Sequence, residues 1–307
     1  MLVFVTGASG HVGSAVVPEL LGAGHRVVGL ARSDESAAAL AAVGAQAHRG
    51  DLDDPGSIAE AAASADGVIH LAFKHDAMFA GDFDSAVAAD LRAIETLGAA
   101  LEGTGKPLVS TSGTMLLAFA GLEGAATEAD ALDAGPRIDA ENAVVGFAER
   151  GIRSSVVRLA PTVHSKLDRH GFIPALISIA RAKGVAAYVG DGTNRWPAVH
   201  TLDAARLYRL ALESAPAGAR LHAVDDQGIR FRDIAEAIGR RLDLPTASIP
   251  STRAEDHFGF LSTHVFADNP SSNALTQELL GWKPAQPNLI EDLGQSHYFD
   301  TPAGTTG

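Results

Sequence analysis

Residues 5–15 read VTGASGHVGSA, with Gly7, Gly10 and Gly13 three apart. An apolar, β-branched run, LVFVT (2–6), leads in, and the helix-forming stretch GSAVVPELLGAG leads out. Glycines are needed in such a turn because a side chain would hold a pyrophosphate away from the backbone amides and the helix N-terminus. A tight turn also uses glycine, but strand before and helix after mark the start of a βαβ unit that binds a dinucleotide. Pro18 lies inside this first helix and is expected to bend it.

The same alternation continues. HRVVGLAR (25–32), AQAHRGDL (45–52), DGVIHLAF (66–73), KPLVSTSG (106–113) and RSSVVRLAP (153–161) read as strands, with helical stretches between them. The last of these helices is expected to run from about Pro136 to Arg150. Strands alternating with helices of this length give a parallel sheet covered on both faces, hence a doubly wound α/β fold. After residue 161 the rhythm changes. The reading is a core over 1–161 and a smaller, mainly substrate-binding C-terminal lobe over 162–307, with 200–226 returning to the core.

A formal net charge of −13, spread along the chain, argues against nucleic acid as a partner. The absence of cysteine excludes disulfides, thiolate catalysis and cysteine metal sites. No HExxH or comparable pair occurs, so no metal is expected. The opening apolar run is too short for a membrane span and lacks a signal peptide's basic start, so a cytoplasmic chain is expected, with no membrane partner.

The end of the second strand bears on which dinucleotide binds. Arg32 and Ser33 stand where an acidic residue would hold a ribose diol. A guanidinium suits a phosphate, so NADP(H) is favoured; NAD(H) stays open through Asp34. Asp51, after the third strand, meets the adenine amino group or caps the following helix.

In order, TGASGHVG, GDL, VIHLAF, STSG, VVRLAP, NRWPAVHTLDAA and LLGWKP resemble the extended short-chain dehydrogenase/reductase family, with its NAD-dependent epimerases and dehydratases. The resemblance covers nearly the whole chain. It implies a Rossmann core with a small C-terminal substrate lobe, and a homodimer. It also implies dinucleotide contacts from Gly7, Gly10, His11, Val12, Arg32, Asp51, Leu52, Leu71 and Ala72, to which Gly13, Ser33 and Phe73 are added from the same segments.

The chemistry of that family rests on a Ser/Thr, a tyrosine and a lysine four residues on. Ser112 matches the first. The tyrosines, Tyr188, Tyr208 and Tyr298, are followed four residues later by Gly192, Leu212 and Pro302. Alignment sets Asp133 at the tyrosine position and Arg137 at the lysine position, with Gly135 and Pro136 between them. This departure makes the chain an atypical member.

Other groups are candidates for the missing role. His75, with Lys74 and Asp76, follows the fourth strand; His164, with Lys166 and His170, follows the sixth. Histidine suits proton transfer near neutral pH. The site is thus read as Ser112, His75 and His164 for catalysis, with Lys74, Lys166, Arg195 and Trp196 meeting a small-molecule substrate. Trp196 also suits core packing, His70 reads as a core histidine, and His200 as packing at a helix entrance. Three functions follow: an NAD(P)-dependent oxidoreductase of a carbonyl or alcohol; a tailoring enzyme (epimerase, dehydratase or cofactor-assisted oxygenase); or a non-catalytic NADP-binding redox sensor.

Overall fold

The computed structural model describes residues 1–75, 77 and 81–300. Its centre is a seven-stranded sheet in the order β10-β6-β5-β4-β1-β2-β3. The strands are β1 (Leu2–Thr6), β2 (Arg26–Ala31), β3 (Gln46–Arg49), β4 (Gly67–His70), β5 (Pro107–Gly113), β6 (Arg153–Leu159) and β10 (Ala219–Ala223). Every pairing among them is parallel. The chain winds outward from β1 through β2 and β3, then crosses to β4 and winds the other way. A ligand crevice is expected where that direction reverses, outside the carboxyl ends of β1 and β4.

Period-two alternation sends β1 side chains to both faces. Val3 and Val5 join a core with Val16 and Leu20 of helix Gly13–Gly22 and Leu207 and Tyr208 of helix Thr201–Ser214. Phe4 joins the opposite core with Ile58, Ile94, Leu97 and Val144, from helices Pro55–Ser64, Phe83–Leu101 and Ile138–Gly146. Each such side chain, fully buried, contributes about 1.5–3 kcal/mol. Burial on both faces explains why these strands read as apolar runs.

The first helix runs on through Pro18. Pro18 and Ser14, whose carbonyl loses its amide partner, are both exposed, so water can satisfy the freed oxygen. The helix foreseen from Pro136 starts only at Ile138 and gives way to a 3₁₀ turn over Phe147–Arg150. Gly135 (φ 147°) and Arg137 (φ 64°) delay its start.

The C-terminal segments build two small sheets the sequence did not announce. One is β7 (Thr162–His164), β9 (Arg195–His200) and β11 (Asp226–Arg230), in the order β11-β9-β7; the other pairs β8 (Ala186–Val189) with β12 (Thr246–Ile249). They surround a separate core containing Trp196, Phe231, Phe258 and Leu261. Helix Thr201–Ser214 packs on the central sheet, and β10 hydrogen-bonds to β6.

Candidate active site

The glycine turn lies at the reversal point. Gly7 adopts φ +66°, and a Cβ there would stand 2.7 Å from the Ala72 amide nitrogen, just beyond β4. At Gly13 a Cβ would meet the Gly7 carbonyl oxygen at 2.1 Å. These two glycines let the strand exit, the turn and the helix close on one another. Gly10 is different: its added Cβ has only the Gly7 oxygen nearby, at 3.3 Å, and otherwise enters open space. A side chain there would fill the hollow in front of a helix that has no side-chain cap. The hollow therefore fits a diphosphate held by amides.

Around it, Thr6 ties β1 to β4: its Oγ1 is 2.7 Å from His70 Nδ1 and accepts a bond from the Ala72 amide at 3.3 Å. His70 is thus the core histidine expected. The His11 ring turns inward, with Nε2 2.9 Å from Thr201 Oγ1. Burial, then the charges of His164 and His170, lower its pKa to about 4, so it is neutral at physiological pH. Val12 stays half-exposed at the helix start. Leu71 packs on one core and Leu52 on the other, both half-buried.

At the end of β2, Arg32 is exposed, while Ser33 caps helix Asp34–Ala42 by accepting from the Ser36 amide at 3.1 Å. Asp34 is exposed and lies 3.2 Å from Arg49. Asp51 does not cap the next helix: it accepts from the Asp53 amide at 2.9 Å, and Asp54 is the cap.

The reaction end lies beyond β4 and β5. Phe73 carries the Arg137 guanidinium over its ring, 4.3 Å from the centroid. Arg137 also donates to the Thr111 carbonyl at 3.3 Å and lies 3.7 Å from Asp90, which is bonded to His70 at 3.1 Å. Tyr208 is 0% exposed on the other face, with its hydroxyl 2.7 Å from Thr111 Oγ1, and burial pushes its pKa up. His75 is exposed, its ring edge-on to Phe73 at 5.2 Å. Lys74 pairs with Asp53, on the loop after β3, and Lys166 is exposed. Asp76 lies outside the described residues.

Ser112 is buried beside Glu141. Burial alone would raise the Glu141 pKa, but hydrogen bonds and charge from Arg158, with help from Ser112 and Arg220, leave it below its usual value. Arg158 grips Glu141 through Nε at 3.1 Å and Nη2 at 2.5 Å. Nothing in the sequence reading pointed to this pair, because the partners lie on a helix and on β6 and meet only across the sheet face.

The substrate-side candidates are more enclosed or more fully paired than an open pocket requires. His164 lies within β7, 0% exposed, with Nδ1 2.9 Å from Asp292 Oδ2. So enclosed, it braces the strand against helix Leu289–Leu293 through Nδ1, while its Nε2 is buried without a hydrogen-bond partner. His200 caps helix Thr201–Ser214 through the Leu202 amide, as its position before that helix suggested. Trp196 is also 0% exposed, 4.8 Å from the Phe231 ring, so packing is its role. Arg195 spends its guanidinium on Asp268, at 3.0 and 2.7 Å.

A doubly wound sheet with an open glycine cradle at its reversal point and a capping lobe defines a dinucleotide-binding α/β enzyme fold. Residues 3–114 match the NAD dependent epimerase/dehydratase family. An uncharacterized protein of Schizosaccharomyces pombe is 47% identical over 97% of this chain and 100% of its own length. The 2-alkyl-3-oxoalkanoate reductase of Stenotrophomonas maltophilia is 30% identical over 71% of this chain and 67% of that one. In fold the chain is similar to dTDP-glucose 4,6-dehydratase of Streptomyces venezuelae, crystallised with NAD: TM-score 0.76, 20% identity, covering 97% and 96% of the two chains. The protein belongs to the NAD dependent epimerase/dehydratase family, as an atypical extended short-chain dehydrogenase/reductase, and is an NAD(P)-dependent oxidoreductase in class.

Proposed function

We infer that this chain interconverts a carbonyl compound and its alcohol with a nicotinamide coenzyme, NADPH in preference to NADH. The glycine cradle carries the coenzyme part of the reading, since the open space in front of Gly10 suits a diphosphate. The backbone of Gly7, Gly10 and Gly13 would hold that diphosphate, Asp51 and Leu52 the adenine, and Arg32 a ribose 2′-phosphate. Leu71, Ala72 and Phe73 would flank the nicotinamide. When bound, the coenzyme supplies or takes up a hydride. A ketone-reducing relative of 30% identity supports carbonyl reduction over sugar-nucleotide chemistry.

The test is calorimetry with NADPH and NADH, followed by coenzyme consumption with a panel of ketones and 3-oxo esters. Turnover of at least one carbonyl is expected. Arg32→Ala should weaken NADPH at least tenfold and NADH less than twofold; equal effects would overturn the coenzyme preference. Tight coenzyme binding without any turnover would favour the redox-sensor reading.

A further inference from the structure

The fold keeps one cation at the reaction end in an unusual posture. Helix N-caps ordinarily adopt extended backbone and offer a side-chain oxygen to the first turn. Arg137, at the N-cap of helix Ile138–Gly146, does neither: it is left-handed, φ 64° and ψ −16°, and makes no side-chain cap bond. Among the described residues, Asp243 is the only other non-glycine residue with positive φ, and it ends a helix, where that conformation is common. The strain at Arg137 therefore secures something other than a cap, and what it secures is the guanidinium's location.

That location is specific. The guanidinium lies over Phe73 after β4 and donates to the carbonyl of Thr111, the residue before Ser112. Its Nε is buried without a hydrogen-bond partner; Asp90 Oδ2, 3.7 Å away, is too far to accept, and Asp90 already serves His70. Among the described residues, the groups it meets include an aromatic face, one carbonyl and one shared carboxylate. A half-buried cation with donor capacity to spare, at the carboxyl edge of the sheet, is suited to an oxygen anion.

We propose that Arg137 is the oxyanion-holding residue of this enzyme, replacing the absent tyrosine and lysine as the group that polarises the substrate's carbonyl oxygen. The inference rests on the carbonyl-reduction reading above. In the reductive direction the carbonyl carbon gains the hydride that the coenzyme supplies. The carbon–oxygen π pair moves onto oxygen, and the resulting alkoxide is held against the guanidinium. A guanidinium donates hydrogen bonds without giving up its proton, so the alkoxide takes its proton from water at the exposed edge beside His75. Polarisation and protonation, which one tyrosine would perform, are divided between a fixed charge and solvent.

The test measures binding, not turnover. Protein saturated with NADP⁺, or with NAD⁺ if that binds tighter, is titrated calorimetrically with isobutyrate, a carboxylate that mimics the alkoxide, and with its neutral isostere isobutyramide. The wild type should bind isobutyrate, Arg137→Lys at most about threefold more weakly, and Arg137→Met at least tenfold more weakly, with isobutyramide unchanged between variants. Arg137→Asn, whose side chain tolerates left-handed backbone, guards against misfolding of the methionine variant and should lose isobutyrate equally. No isobutyrate binding by the coenzyme-loaded wild type, or equal binding by wild type and Arg137→Asn, overturns the proposal. Absence of coenzyme binding in the first titration would instead overturn the functional reading itself.

Discussion

At the end of β1 the chain presents backbone; at the ends of β4 and β5 it presents side chains. The glycine turn holds no side chain larger than its geometry allows, and two of its glycines exist to let main chain touch main chain. The other end is a set of charged and polar groups, Arg137, Asp90 and His70 on one side and Ser112, Glu141 and Arg158 on the other. The difference teaches where each part can change. At Gly7 and Gly13 the backbone leaves no room for an added atom, so the sequence there is legible. A side-chain site can be rewired so long as charge stays paired, so its sequence need not follow a familiar pattern.

The sharpest way to break the contrast is at Gly13. Gly13→Ala would set a methyl 2.1 Å from the Gly7 oxygen, with no flexible side chain to yield. About 3 kcal/mol of stability should be lost, together with at least a hundredfold in coenzyme affinity. Gly10→Ala should weaken the coenzyme but leave the melting temperature nearly unchanged. Thermal melts and calorimetry on the two variants separate a packing glycine from a ligand-facing one; equal melts would erase the distinction.

At the side-chain end, Glu141→Gln leaves Arg158, 1% exposed, without its counter-charge. Loss of one partner of a buried pair costs about 3 kcal/mol, while coenzyme affinity should stay within about twofold. The pH dependence has a definite sign. Glu141's folded pKa is depressed, so its contribution is present above the unfolded value and is lost as pH falls through the folded one. The wild type and Glu141→Gln should therefore converge in stability toward acid; a gap that persists below the folded pKa would deny the ion pair its part.

The smallest effect is expected where the C-terminal lobe meets the glycine turn. Asp168 lies 3.9 Å from His11 and accepts from Gly171 N at 2.8 Å and Tyr298 at 3.2 Å. Burial raises its pKa to about 6. The folded chain thus holds a proton there that the unfolded chain releases near its ordinary value, and stability falls as pH rises across that interval. Asp168→Asn should remove a penalty of roughly 1–2 kcal/mol and raise the melting temperature more at pH 8 than at pH 4.5. An equal change at both would show that the carboxyl's ionisation is not what matters.

How much was legible follows from range. The first strand, the three glycines and the alternation of strand and helix are local patterns, and the doubly wound sheet follows from them. His200 was read at a helix entrance because it directly precedes a helical stretch, a local property, whereas Ser33, read as a cofactor contact, is a helix cap. The small sheets of the lobe were not read, since β9 pairs with β7 and β11, well separated along the chain. His164 and Trp196 were taken as candidates from their chemistry; burial, which no sequence pattern there discloses, made them a brace and a core residue. Arg137 had been aligned at the lysine position, but Gly135 and Pro136 hid what its left-handed backbone does with the guanidinium.

By itself, then, the sequence determined what is set within a few residues: a turn that only glycine can make, strands bare enough to be buried on both faces, and the loss of a tyrosine. Only the tertiary structure decided which charged groups meet. Glu141 finds Arg158 across 17 residues, Arg137 finds the Thr111 carbonyl across 26, and His164 finds Asp292 across 128. Coulombic and hydrogen-bonding partners are chosen by distance in space, and the packing of sheet, helices and lobe fixes that distance.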